Sequence, residues 1–429
     1  MRKTQLLLAL AAIGFTGSAF ATDGYFSHGN GMIAKGMGGA ATAMAEDTFG
    51  GANNPASMVW VGNRIDLGAD LFSPNRSAQR SGSGGGAFDG SADSGMKYFL
   101  MPEFGYNRMI NTDLSLGVSV YGNGGMNTAY PGGQLDMFNC TGGLAPHGPA
   151  NLLCGSGQLG INLMQLIIAP TAAYKINDSH SIGISPLFGY QRFKATGLSA
   201  FKPMAGAASN DVTDNGSDDA SGWGVRLGWQ GRITPTLTLG AAYSSKIDMS
   251  KFNKYSGLFA EGGKFDIPEN YNLGLAFQAM PNLTLAIDYQ RINYGGVNAV
   301  ANSSLNTLLG IAPLGAANGS GFGWKDVNVW KLGAEYKMDD KLTLRAGYNH
   351  TDNPIQSADA MFNILAPGVV QDHVTLGMSY AVNNTSDLTV TYMHAFEQSV
   401  SGPDYLGAGG TDKIKMYQNS LGVAYSWKL

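Results

Sequence analysis

The chain has 429 residues, of which 61 are glycine, 44% are hydrophobic and 14% are charged, with a formal net charge of −4. A soluble chain of this length is expected to split into two or three domains with helices or near-continuous apolar strands in their cores, and few convincing helices are present here. The slightly acidic balance speaks against a nucleic-acid partner.

Met1 to Ala21 opens with Arg2 and Lys3, runs apolar from Leu6 to Phe15 and closes on Ala19-Phe20-Ala21. That is the pattern of a cleaved signal peptide, and the apolar run falls short of the ~20 residues that a spanning helix needs. The mature chain is expected to begin at Thr22, and loss of Arg2 and Lys3 lowers the basic count from 27 to 25 against 31 acids, about −6 net.

Residues 22–60 do not alternate. Gly29, Gly31, Gly36, Gly38 and Gly39 lead through Ala40–Asp47 to Asn54-Pro55-Ala56, a compact small-residue segment expected to fold as a plug. It is no phosphate loop: Lys35 precedes Gly36, Met37 follows it, and no strand stands before it.

From residue 61 onward the chain alternates. In Gly222–Gln230, Trp223, Val225, Leu227 and Trp229 fall on one face of a strand, and the same period returns in Leu283/Leu285/Ile287/Tyr289 and Leu421/Val423/Tyr425/Trp427/Leu429. Such segments suit a wall between lipid and water. Strands are expected near residues 68, 101, 118, 170, 187, 226, 242, 273, 288, 332, 346, 377, 392 and 422. Short turns fall at 111–113, 177–179, 234–236, 280–282, 338–340 and 383–387. Longer connections fall around 74–94, 124–160, 198–220, 249–266, 295–325, 351–370 and 398–412. The expectation is an all-β fold, a 14-stranded antiparallel transmembrane barrel over 61–429 with the plug inside. Both termini then share the side of the short turns, which in bacterial outer membranes is the periplasm.

Several long loops are apolar: Leu152, Leu153 and Leu159, then Leu305, Leu308 and Leu309, then Met361, Ile364 and Leu365. A water channel has no need of such faces. Cys140 and Cys154 flank 13 residues of one of these loops, and in an exported chain they are expected to form a disulfide. A metal site with His147 would lack a fourth ligand. No G-x-S-x-G elbow occurs and the six histidines are scattered without ligand spacing, so no catalytic residue, metal or cofactor is assigned.

These features resemble the FadL family of Gram-negative outer-membrane transporters for long-chain fatty acids and other hydrophobic compounds. The marks are the glycine-rich segment ending in Asn54-Pro55-Ala56, the stretch Val118–Gly125, Ile267-Pro268-Glu269 leading into a strand, the Lys325-Asp326 pair and Asp352-Asn353-Pro354-Ile355. The resemblance implies a barrel with an N-terminal hatch. Substrate is captured by the loops, held in an internal pocket and released sideways through a kinked third strand. Gly122, Gly124 and Gly125 are suited to that kink, over Asn54, Pro55 and Ala56. A basic residue of the family's fatty-acid pocket falls on Gly197 here, leaving Lys325, with Arg192 or Lys194, to meet a carboxylate. The implied partners are a fatty acid or a neutral aromatic or alkane hydrocarbon, together with outer-membrane lipid and lipopolysaccharide, around a monomer. Adhesion is the alternative without transport and has no use for a plug; a hydrolase would need a serine, histidine and acid brought together across strands.

Overall fold

The computed structural model describes residues 23–407 and 409–429; the expected signal segment 1–21 lies outside them. Fourteen long strands follow one another: Arg64–Ser81, Phe99–Met109, Leu114–Asn127, Gly160–Lys175, His180–Thr196, Asp218–Thr234, Leu237–Ser244, Asn270–Met280, Leu283–Ile292, Val327–Lys337, Leu342–Thr351, Asp372–Asn383, Ser386–Pro403 and Thr411–Lys428. Each pairs antiparallel with the next, and the fourteenth returns to the first from Arg64↔Lys428 to Ser81↔Thr411, closing the barrel. Every strand centre expected from alternation lies within one of these strands. Two short pieces, Gly90–Asp93 and Asp248–Met249, extend the ladders of the first and sixth strands.

Alternation sorts the side chains as the period-2 pattern requires. Along the first strand Leu67 and Leu71 are exposed on the outer face, whereas Asp66, Asp70 and Arg76 are buried on the inner one. Along the sixth, Trp223 and Leu227 face out while Arg226 and Gln230 are buried. No helix among the described residues is long and apolar enough to cross a membrane; the outer face of the strands carries the apolar band.

Three of the six tight connections are closed by Asx side chains that each accept two N–H bonds from their own turn's backbone. Asn111 Oδ1 accepts from Asp113 and Leu114 N–H at 2.9 and 2.8 Å, Asn177 repeats the arrangement, and Asp339 accepts from Lys341 and Leu342 N–H at 2.8 Å. The seven longer connections leave the other end of the barrel. They bury Phe201, Phe252, Phe259, Phe322 and Phe362 among themselves. Cys140 and Cys154 form the expected disulfide there, Cα to Cα 5.4 Å.

Residues 23–61 pack on the inner faces of the strands. Lys35 pairs with Asp70 at 2.6 Å, Asp288 accepts from Ala41 and Thr42 N–H at 2.9 and 2.8 Å, Gly38 N–H donates to the Thr375 hydroxyl at 2.9 Å, and Asn54 donates to Trp229 O at 2.9 Å. A side chain on the wall would forbid this fit: a Cβ at Gly347 or Gly240 would overlap the backbone of Gly38 or Thr42.

Candidate functional site

The third strand carries the site's most telling backbone feature. It pairs with the second strand only from Ser115↔Met109 to Val120↔Phe104, while Phe99–Glu103 of the second strand pair with the first alone. On its other side the third strand stays paired with the fourth as far as Asn127, but its register shifts between Gly122 and Gly124. Asn123 is the extra residue of that bulge, and its amide donates to Gln165 Oε1 at 2.9 Å. Glycines on both sides of the extra residue allow the bend. From Tyr121 onward the edge facing the second strand therefore has no ladder partner in the wall.

A segment before the first strand occupies part of that edge. Phe26 bridges Gly124, Ser27 N–H donates to Asn123 O at 3.1 Å, and Gly125 N–H donates to Tyr25 O at 3.2 Å. The approach is so close that a Cβ on Gly124 would lie 1.9 Å from Tyr25 O. Tyr294 holds this segment in turn, since its hydroxyl accepts from Tyr25 N–H at 3.1 Å and donates to Asp23 O.

Beside this edge lies a narrow apolar cavity of about 20 Å³ lined by Tyr25, Pro74, Arg76, Met126, Trp324 and Met416. A second, of about 10 Å³, lies among loop residues, including Ile161, Phe193, Phe259, Phe322, Phe362 and Leu365. Rings connect the two: Phe322 lies 5.6 Å from Phe362 and 6.4 Å from Trp324, which lies 5.3 Å from Tyr294 and 5.9 Å from Tyr25. The Trp324 indole N–H donates to Asn363 Oδ1 at 2.6 Å, so a large ring is buried without leaving its polar handle unpaired. Each cavity admits about one water-sized sphere, so an apolar guest must part these side chains rather than fill an existing hole.

The structure distributes the sequence-expected residues unevenly. Leu152, Leu153, Leu159, Met361, Ile364 and Leu365 all enter the buried cluster, and Leu365 lines the loop cavity. Leu305 and Leu308 are half-buried, and Leu309 is 68% exposed. Lys325 is exposed while its neighbour Trp324 points into the cavity. Arg192 and Lys194 are on the outer face of the fifth strand, and Arg192 pairs with Asp219 at 2.7 Å. None of these three cations lines either cavity. Gly122, Gly124 and Gly125 do sit at the bulge, but Asn54, Pro55 and Ala56 are not beneath them. That turn packs on Gly183 and Gly228 of the fifth and sixth strands, and it is Tyr25–Ser27 that meets Gly124. Sequence reasoning missed Tyr25, Tyr294, Trp324 and Arg76. For Arg76 the signal was present, because it shares the parity of Asp66, Asp70 and Phe72.

Residues 149–415 match the family model described as "Outer membrane protein transport protein (OMPP1/FadL/TodX)". No curated protein matches the chain. Among solved structures the chain is similar to the P. putida toluene transporter TodX (19% identity, 94% of this chain and 99% of that one, TM-score 0.68). It is also similar to a Pseudomonas aeruginosa FadL homologue (16%, 94% and 99%, TM-score 0.69) and to the Ralstonia pickettii toluene transporter TbuX (18%, 93% and 98%, TM-score 0.63).

Proposed function

The chain belongs to the OMPP1/FadL/TodX family of outer membrane transport proteins, and from that premise we propose how it carries hydrophobic compounds across the outer membrane. Residues 22–60 act as a hatch inside the barrel formed by 61–429, with both termini periplasmic and the long loops outside. The substrate enters among the apolar loops stapled by Cys140–Cys154, moves past Phe362 and Phe322 to the cavity at Trp324 and Tyr25, and leaves sideways between the second and third strands.

One observation carries this reading: the unpartnered edge of the third strand borders the inner cavity, through Met126 and Tyr25. In lipid every backbone group needs a partner. An edge held by Tyr25–Ser27 and the Arg76 side chain, rather than by a strand of the wall, can be exchanged without dismantling the barrel. The hatch supports a barred vertical route, since Lys35–Asp70 and the Asp288, Thr375 and Trp229 contacts tie it to the wall. Transfer is driven by partitioning, about 0.8 kcal/mol per CH₂ buried, with no chemical change to the cargo. The protein works as a monomer among outer-membrane lipid and lipopolysaccharide.

Two cargo classes follow, long-chain fatty acids and neutral aromatic or alkane hydrocarbons. Toluene transporters among the similar structures support the second, while the exposed positions of Lys325, Arg192 and Lys194 remove those three cations as anchors for the first without removing an anchor elsewhere. Growth on oleate and on toluene, compared between a deletion strain and its complement, tests the function. Rescue on either substrate supports transport, and rescue on neither overturns it.

A further inference from the structure

Four arginines on the inner face are buried in the structure at 7% exposure or less: Arg64, Arg80, Arg226 and Arg345, and Arg76 makes a fifth. Three have carboxylate partners. Arg64 pairs with Asp66 at 2.8 Å, Arg345 with Glu335 at 2.7 Å, and Arg80 with Asp412 at 2.9 Å and Asp404 at 3.1 Å. That is how this fold keeps a structural guanidinium, because a buried charge without a counter-charge is strongly destabilising. Arg226 lacks a carboxylate ion pair among the described residues, but it faces the hatch at Gly51 and lines neither cavity.

Arg76 shares with Arg226 the missing ion pair and an Nε without a hydrogen-bond partner, and differs from it in lining the inner cavity. Four residues before Arg80 on the same face, it has no ion pair among the described residues, and its Nε has no hydrogen-bond partner. Its terminal nitrogens donate only to the neutral carbonyls of Asn127 and Met96, and its guanidinium lies 5.7 Å from the Phe99 ring centroid. It is also the one charged side chain lining the inner cavity, whose other walls include Tyr25, Trp324, Met126 and Met416. A site for a purely apolar guest has no use for an unneutralised cation on its wall. An amphipathic acid supplies what is missing, a carboxylate for the guanidinium and a hydrocarbon tail for the rings and thioethers.

Resting on the transport reading above, we infer that Arg76 is the polar anchor of the inner cavity and that the preferred cargo is a hydrophobic carboxylic acid rather than a neutral hydrocarbon. The carboxylate seats at Arg76 Nε, and its tail lies over Tyr25 and Trp324 beside the third-strand edge. The anchor therefore sits on the first strand, away from Lys325.

The test is equilibrium binding of dodecanoate, methyl dodecanoate and toluene to the full-length protein in detergent, for the parent, Arg76→Gln and Arg76→Lys. The assignment expects the parent to favour the acid over its ester and Arg76→Gln to bind the acid at least tenfold more weakly with little change for the ester. Arg76→Lys should keep part of the preference, and all three should retain the heat-resistant folded band. Binding of acid and ester with no dependence on residue 76, or equal loss of both in well-folded Arg76→Gln, overturns the assignment while leaving transport intact. Failure of the parent to bind any of the three overturns the transport reading and the anchor with it. Arg76→Lys keeps the test decisive if Arg76→Gln does not fold: a reduced acid preference in the folded lysine variant supports the anchor, and a preference identical to the parent's overturns it.

Discussion

Replacing Gly124 with alanine probes the contact between the N-terminal segment and the wall. The added Cβ would stand 1.9 Å from Tyr25 O, with the Tyr25 ring 3.1 Å away. An ordinary carbon–oxygen contact exceeds 3 Å, so the segment must retreat by more than an ångström. That retreat breaks Gly125 N–H to Tyr25 O and Ser27 N–H to Asn123 O. Each bond is worth about 1 kcal/mol net, and a donor left buried and unmet costs about 1–3 kcal/mol more, so seating of residues 25–27 weakens by roughly 2–4 kcal/mol. The barrel's own ladder is untouched, because the third strand remains paired with the fourth through Asn127. Hydrogen exchange of a peptide covering residues 23–28 should rise by roughly 30- to 1,000-fold, while the folded protein keeps its heat-resistant migration. Hydrophobic uptake should fall, since Tyr25 forms a wall of the inner cavity. Gly148→Ala, at a glycine with nothing within 4 Å of its Cβ, is the control. Unchanged protection of residues 23–28 in folded Gly124→Ala would refute the seating argument.

Three further outcomes are expected. Single cysteines at the exposed positions Ser217 and Asn318 should label in intact cells on a background without Cys140 and Cys154, and cysteines at the exposed turn positions Asp178 and Asp340 should not; the reverse pattern inverts the orientation. Serine at both Cys140 and Cys154 removes a loop constraint worth roughly 3 kcal/mol, and should lower uptake by freeing Leu152 and Leu153 while leaving barrel heat resistance unchanged; unaltered uptake removes the loop from the route. Burial, partly offset by Lys331 and the Asn349 amide, lifts the Asp23 carboxyl from 3.8 to about 6. A carboxyl with a higher folded than unfolded pKa favours the seated state most below about pH 4, loses that advantage as the pH rises to 6, and contributes a constant penalty of order 3 kcal/mol above it. His28, held neutral by burial well below its ordinary 6.5, acts with the opposite sign. Comparison of Asp23→Asn with the parent isolates the Asp23 slope in hydrogen exchange between pH 4 and 6, and an identical slope in both proteins refutes it.

The wall was legible in the sequence because period-2 alternation and Asx turns are local. Ile182 and Ile184 fix the outer parity of the fifth strand, and Asn111, Asn177 and Asp339 close their turns within four residues. Parity was also available for Arg192 and Lys194, which share the even positions of Ile182 and Ile184 and so face outward, against their assignment to meet a carboxylate in the pocket. The disulfide was legible for another reason, since Cys140 and Cys154 are the two cysteines of a chain expected to be exported. What one sequence does not carry is which residues far apart in the chain meet: Tyr25 finds Gly125 across 100 residues and Tyr294 across 269. Asn54 finds Trp229 rather than the glycines of the third strand. At Lys325 the expectation went to the charged residue, yet its apolar neighbour Trp324 turns inward, since a loop has no strict alternation to fix which side chain faces the cavity.

The central claim is that cargo reaches the cavity at Trp324 and leaves across the third-strand edge. A dodecanoic acid bearing a terminal diazirine, photolysed in outer-membrane vesicles and mapped by mass spectrometry, tests it directly. The account expects label on Tyr25, Trp324 and Met126 and on Phe99 or Met101 of the second strand, the residues that line the cavity or flank the open edge. Label confined instead to Met32, Met37 and Met58, buried in the N-terminal segment, would show passage down through the hatch and contradict lateral exit.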